Sequence, residues 1–214
     1  MDINWGYNIS NDNQTKQRNK KRKYSNISDS KRYIEIENDL IYTIGTQIYF
    51  TSPINKQSIS LLIKEITKII DEKGKNKKLT ICYVVDSPGG CVTSVLKFVD
   101  FLNIIKTKYK NVEFVSIGTG LIASAGTIMC AVADKRYITK HAYAMIHELS
   151  TGNSGKFTHF VSYTSHLKKM HDQLVNIYYE KSNMSIEDIE VLLKNETWFN
   201  AEEYLEKGLV DEIK

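Results

Sequence analysis

The chain has no run of about eighteen apolar residues, so no segment reads as a membrane-spanning helix. Its first thirty residues are polar and lack the apolar centre of a secretory signal peptide, which makes a cytoplasmic protein the expectation. Cysteine is scarce. Cys82, Cys91 and Cys130 show no metal-ligand spacing and are too few for a disulfide framework. They sit in apolar runs and read as buried free thiols, which suits a reducing compartment. No pattern calls for a metal or another cofactor, and none is expected. Internal repeats and an interdomain linker are missing too, so the 214 residues read as one domain with a full core and an appended arm.

The body also lacks a strong charge of either sign. Residues 1–30 carry Lys16, Arg18, Lys20, Lys21, Arg22 and Lys23 against three aspartates, which accounts for +3 of the chain's net +4. A nucleic-acid partner is therefore conceivable only through the arm, with its KQRNKKRK run. The arm has too few apolar residues to order itself, and residues 1–32 are expected to form a disordered basic leader.

What is present is an alternation of strand and helix patterns. LIYTIGTQIYF (40–50) reads as a strand with a glycine bend. Ile59, Leu62, Ile63, Ile66, Ile69 and Ile70 follow at helical spacing, and Gly74 ends that helix. LTICYVV (79–85) and VEFVSIG (112–118) are continuous apolar runs, as expected of parallel strands buried on both faces. A helix lies between them. Short strands KRYIT and YAMIH come next. From Lys156 to about Lys181, apolar residues recur every three or four positions, a helix of roughly 36 Å. SIEDIEVLL is a short helix capped by Ser185 with Asp188, and NAEEYLEKGLVDEI closes the chain with a helix, a glycine stop and a strand-like end. Repeated β–α–β calls for an α/β, mostly parallel, right-handed layer structure.

Two turns stand out. ASAG (123–126) gathers four small residues around one hydroxyl, between a strand and a helix. A helix start offers unpaired N–H groups to a developing oxyanion, and small neighbours let a peptide approach Ser124. The plain alternative is a tight helix–strand crossing. DSPGG (86–90) also follows a buried strand, and Gly89 or Gly90 could supply a second oxyanion donor or a backbone edge for an extended substrate. In a parallel sheet both turns share the carboxyl end, where open α/β sheets carry their sites. A serine nucleophile needs a base. Of five histidines, three fall in the long helix and one in a turn, whereas His147 ends the strand YAMIH. A carboxylate must orient it, and Glu196 lies just ahead of an aromatic pair. The order Ser, His, acid and the absence of G-x-S-x-G disfavour an α/β-hydrolase.

VVDSPGG, GLIASAGTIM, AMIH and AEEYLEKGLVDEI, in that order, resemble the proteolytic subunit of the ATP-dependent Clp protease, from about Tyr33 to the C-terminus. The resemblance implies a ClpP/crotonase-like fold of stacked βαβ units with a protruding handle helix, over a protease domain of residues 33–214. It implies Ser124 as nucleophile, His147 as general base, Glu196 at the position of the acid, and an oxyanion hole from the N–H groups of Gly90 and Ala125. It implies that STGNSG, with Gly152 and Gly155, is a Gly-rich strand beside the substrate groove, with Gly89 on its other side. The departures are Glu148-Leu149 where the family usually has Gln-Pro, and Glu196 where it usually has Asp. The resemblance implies an AAA+ ATPase unfoldase as a partner, but Cys82 and Val84 stand where the family's ATPase-docking strand carries aromatics, a departure that puts its docking in question. The expectation is a serine endopeptidase acting on unfolded proteins or peptides inside a homo-oligomer of stacked rings. The alternatives are a non-catalytic ring subunit and a crotonase-fold acyl-CoA enzyme.

Overall fold

A computed structural model describes residues 4–5, 40–73 and 77–214. The basic run of the arm and Gly74 lie outside them. The first described segment is the two-residue strand β1 (Asn4–Trp5). The stretch read as one bent strand is a hairpin: β2 (Ile41–Ile44) turns at Gly45-Thr46 and returns antiparallel as β3 (Gln47–Phe50). Helix α1 (Lys56–Lys73) follows and buries Ile59, Leu62, Ile66, Ile69 and Ile70, the row whose spacing announced it. Strand β4 (Leu79–Ser87) and the short β5 (Gly90–Cys91) lead into α2 (Val92–Lys108).

Strand β6 (Val112–Ala123) is five residues longer than its apolar run suggested and ends at the residue before Ser124. The extension, TGLIA, is hidden from a composition reading by a threonine and a glycine. Those residues are where the strand changes neighbours. Its first half pairs with β7 (Lys135–Ile138), its second with β8 (Tyr143–Ile146), both in parallel. Helix α3 (Ala125–Ala131) lies between β6 and β7 in sequence and is buried throughout.

The long helix α4 spans Phe157–Lys181, α5 spans Ile186–Lys194, and β9 (Thr197–Phe199), α6 (Ala201–Glu206) and β10 (Glu212–Ile213) complete the chain. Ser185 and Asp188 close the anticipated capping box on α5. The main sheet runs β10-β7-β6-β4-β3-β2, with β8 and β9 branching from the end of β6. Every pairing along it is parallel except β2–β3 and β8–β9. This is an α/β fold built from βαβ units. The central strands β4 and β6 deliver the turns after Ser87 and Ala123 to the same edge of the sheet.

Candidate active site

Ser124 is the single residue between β6 and α3. Its backbone lies at φ 57°, ψ −125°, a region costing a non-glycine residue about 1–3 kcal/mol. Hydrogen bonds hold it there. Its N–H donates to the Met145 carbonyl at 2.7 Å, and its carbonyl accepts from the Thr127 N–H at 3.0 Å and the Thr127 hydroxyl at 2.6 Å. The Tyr178 hydroxyl, on α4, is 2.6 Å from the Thr127 oxygen. Threonine has one hydroxyl proton, already given to Ser124, so the tyrosine donates. Burial holds the Tyr178 phenol above its ordinary pKa, against the lowering effect of Thr127, and keeps that proton in place.

The small residues of ASAG have a clear cause. A Cβ added at Gly89 would stand 2.6 Å from the Ala123 carbonyl oxygen and 2.6 Å from the Ser124 Cβ. One added at Gly126 would stand 3.3 Å from the Ser87 carbonyl oxygen. What comes close to the backbone at Ser124 is therefore the DSPGG turn of the chain itself. Gly89 (φ 88°) and Gly90 (φ 144°) take conformations L side chains rarely adopt. Gly90 is bridged on one side by Ile54: the Cys91 N–H donates to the Ile54 carbonyl at 2.7 Å, and the Ile54 N–H to the Gly89 carbonyl at 2.8 Å. Asp86 ties this turn to β6 by accepting from the Leu121 N–H at 3.1 Å.

His147 follows β8 directly. Because β8 pairs with β6 in the register Ala123↔Met145, the residues beyond those two strands emerge side by side. The His147 Nε2 lies 3.0 Å from the Ser124 Oγ. Glu196 arrives by the same logic. Strand β9 pairs antiparallel with β8 at Ile146↔Thr197, so the next residues outward are His147 and Glu196. The Glu196 Oε2 is 4.0 Å from the His147 Nδ1, ion-pair range rather than hydrogen-bond range, and Glu196 has φ 48°. The His147 side chain is 14% exposed and that of Glu196 44%. Burial pulls the His147 pKa below its ordinary 6.5, and the charges of Glu196 and Glu148 oppose that pull. A base that is neutral near neutrality and within reach of a serine hydroxyl suits proton abstraction.

Ala125 opens α3, in van der Waals reach of Gly89. The STGNSG segment departs from expectation: Ser150–Gly155 runs as irregular chain and joins no strand ladder among the described residues. Two glycines in six residues make extended pairing entropically costly. Thr151 shares an open cleft of about 360 Å³ with His147, Lys194 and Glu196, so the segment borders the site at its start. A Cβ added at Gly152 would meet open space, and one added at Gly155 would stand 2.8 Å from the His159 Nδ1 on α4. The other histidines lie elsewhere: His171 binds Glu190 at 2.9 Å, and His141, His159 and His166 are exposed. Sequence reasoning missed Thr127 and Tyr178; the only signals were a polar residue inside the apolar run after ASAG and a tyrosine in the α4 row.

Comparison with known proteins decides the family. The model of the family described as Clp protease matches residues 29–214. The chain belongs to the Clp protease family. It is a serine-type endopeptidase of that family. The ATP-dependent Clp protease proteolytic subunit 1 of Chlamydia trachomatis is 30% identical over 171 residues, covering 78% of this chain and 85% of the relative. The corresponding subunit 1 of Chlamydia abortus is 29% identical over 189 residues, covering 84% and 94%. The ATP-dependent Clp protease proteolytic subunit of Streptococcus thermophilus is 30% identical over 170 residues, covering 78% and 83%. The resemblance carried by the four sequence segments thus extends to the whole domain.

Proposed function

We propose that Ser124, His147 and Glu196 cleave peptide bonds as a catalytic triad. The contact that carries this reading is the 3.0 Å approach of the His147 Nε2 to the Ser124 Oγ. The serine hydroxyl attacks the scissile carbonyl carbon while His147 takes its proton. The carbonyl oxygen, now an anion, accepts from the N–H groups of Ala125, next after the serine, and Gly90, next after the Gly89 that packs on Ser124. The imidazolium then protonates the leaving amine, an acyl-serine forms, and water releases it with His147 again as base. Glu196 stabilises the imidazolium from the Nδ1 side. Gly89, Gly152 and Gly155 border the extended substrate. No step calls for a metal or cofactor.

The substrates are unfolded polypeptides or peptides, and the working form is a homo-oligomer of stacked rings that encloses Ser124, in the cytoplasm. No described helix is long and apolar enough to cross a membrane. An AAA+ unfoldase feeds the chamber. The relatives are named ATP-dependent. Cys82 and Val84 lack the expected aromatics, but Tyr42 and Tyr49 pair in register beside Val84 and stack at 4.8 Å, restoring an aromatic face on that edge of the sheet. Ser124→Ala is expected to lower turnover of a fluorogenic peptide by at least about 10³-fold and to abolish fluorophosphonate labelling. Unchanged turnover by the mutant would refute the triad.

A further inference from the structure

The edge proposed to receive substrate already carries a strand. Asn4–Trp5 runs antiparallel to Gly90–Cys91 in the register Asn4↔Cys91 and Trp5↔Gly90. Along an extended strand, the N–H and C=O of successive residues point to alternate sides. The Cys91 N–H and the Gly89 C=O are both committed to Ile54. The Gly90 N–H and C=O therefore face the opposite side, where Trp5 sits. That N–H is the group assigned above to the oxyanion. In the same structure Ser124 has no exposed surface.

We infer that the chain's own N-terminal segment is a ligand of the Gly90–Cys91 edge, seated as an extended peptide would be and competing with substrate for it. This rests on the reading of Gly90 as an oxyanion donor beside Ser124. β-strand addition to a sheet edge is a sequence-tolerant mode of peptide recognition, because main-chain hydrogen bonds supply the affinity. Covalent attachment supplies the rest: a tethered segment acts at an effective concentration that reaches millimolar with a suitable linker. The chain between Trp5 and Leu40 is long enough to bring it there in cis, since each residue spans up to about 3.3 Å. The arm thus has a role separate from its basic run. It keeps the groove of a newly made subunit occupied and is displaced by a substrate that pairs over a longer stretch.

The test uses the full chain and its Trp5→Pro variant. Proline removes the amide that faces Gly90, and Trp5 belongs to a two-stranded pairing separate from the eight-stranded main sheet, so the main sheet keeps its ladders. With a fluorogenic peptide as substrate, the variant is expected to show a KM about five- to tenfold lower, kcat unchanged, and faster fluorophosphonate labelling of Ser124. A synthetic peptide of residues 1–10 should inhibit the variant competitively. Equal KM and equal labelling of the two proteins would overturn the inference and leave the triad standing. No labelling of Ser124 in either would overturn both. Inhibition in the full chain that deepens with protein concentration would assign the segment to a neighbouring copy and overturn the cis arrangement.

Discussion

At the scale of single residues, the site depends on a serine held in strained backbone beside a desolvated histidine. The pH dependence follows from His147. As the proposed base it must be neutral to accept a proton, and burial disfavours its cation, so the acid limb of kcat/KM should have its midpoint below 6.5. The charge of Glu196 opposes burial, so Glu196→Gln should move that midpoint further down. It should also cut kcat at pH 7 by about 10- to 100-fold, because the imidazolium formed in the transition state loses its partner. That loss is set below the one seen for a tightly bonded acid, since Glu196 stands at 4.0 Å and is half exposed. Glu148→Gln and Asp172→Asn should cost less, Asp172 being turned towards Lys168 at 3.2 Å. A pH–rate series on the three variants checks this, and a dead Glu148 or Asp172 variant beside an active Glu196→Gln would reassign the acid. Tyr178→Phe tests the brace from α4. Removing the donor to Thr127 should lower stability by about 1–2 kcal/mol in urea unfolding. It should also lower kcat several-fold, with KM little changed, because the strained turn loses part of its anchorage.

At the scale of elements, the sequence spoke most clearly where one physical cause acts alone. The 3.6-residue spacing of Ile59, Leu62, Ile66 and Ile70 has no reading other than a buried helix face, and Ser185 with Asp188 marks a helix start by itself. Ser124 and His147 were legible because each closes a strand-like run. Glu196 was less so: its place beside His147 depends on the register of β9 on β8, which no local pattern encodes. The hairpin at Gly45 read as a bend because both of its arms share one β-rich composition. The long helix shows where periodicity misleads. Its apolar row is continuous in sequence, yet Met170, Leu174 and Tyr178 are buried in the core while Phe157, Phe160 and Val161 are exposed. The two halves should respond differently. Leu174→Ala should destabilise the folded chain by about 2–5 kcal/mol, whereas Phe160→Ala should leave the unfolding midpoint of a dilute sample within about 0.5 kcal/mol of the parent.

At the scale of the whole molecule, that exposed half-helix needs a partner. Phe157 is 80% exposed, Phe160 42% and Val161 56%, one turn after another on an element about 37 Å long. Soluble monomers seldom present such a contiguous apolar patch without using it. A second apolar zone lies on α1 and α2, where Ile63, Phe101 and Ile104 line an open groove and Ile104 is 63% exposed. Two separate zones suit an assembly with two kinds of contact, one within a ring and one between rings, whereas a simple dimer needs only one. An assembly of this kind also answers a functional need. The proposed groove reads mainly backbone, which gives little protection to bystander proteins, and enclosing Ser124 restricts cleavage to chains threaded inside. Light scattering of the full chain at micromolar concentration should therefore give a mass several times 24.6 kDa. Replacing Phe157, Phe160 and Val161 together with serine should lower that mass to a smaller, discrete species, because in the proposed assembly the groove on α1 and α2 would still join subunits within a ring. If the parent scatters as a monomer, and neither salt nor a candidate ATPase partner assembles it, the chamber is wrong and the exposed half of α4 needs another occupant; the 3.0 Å contact between His147 and Ser124 would be untouched by that result.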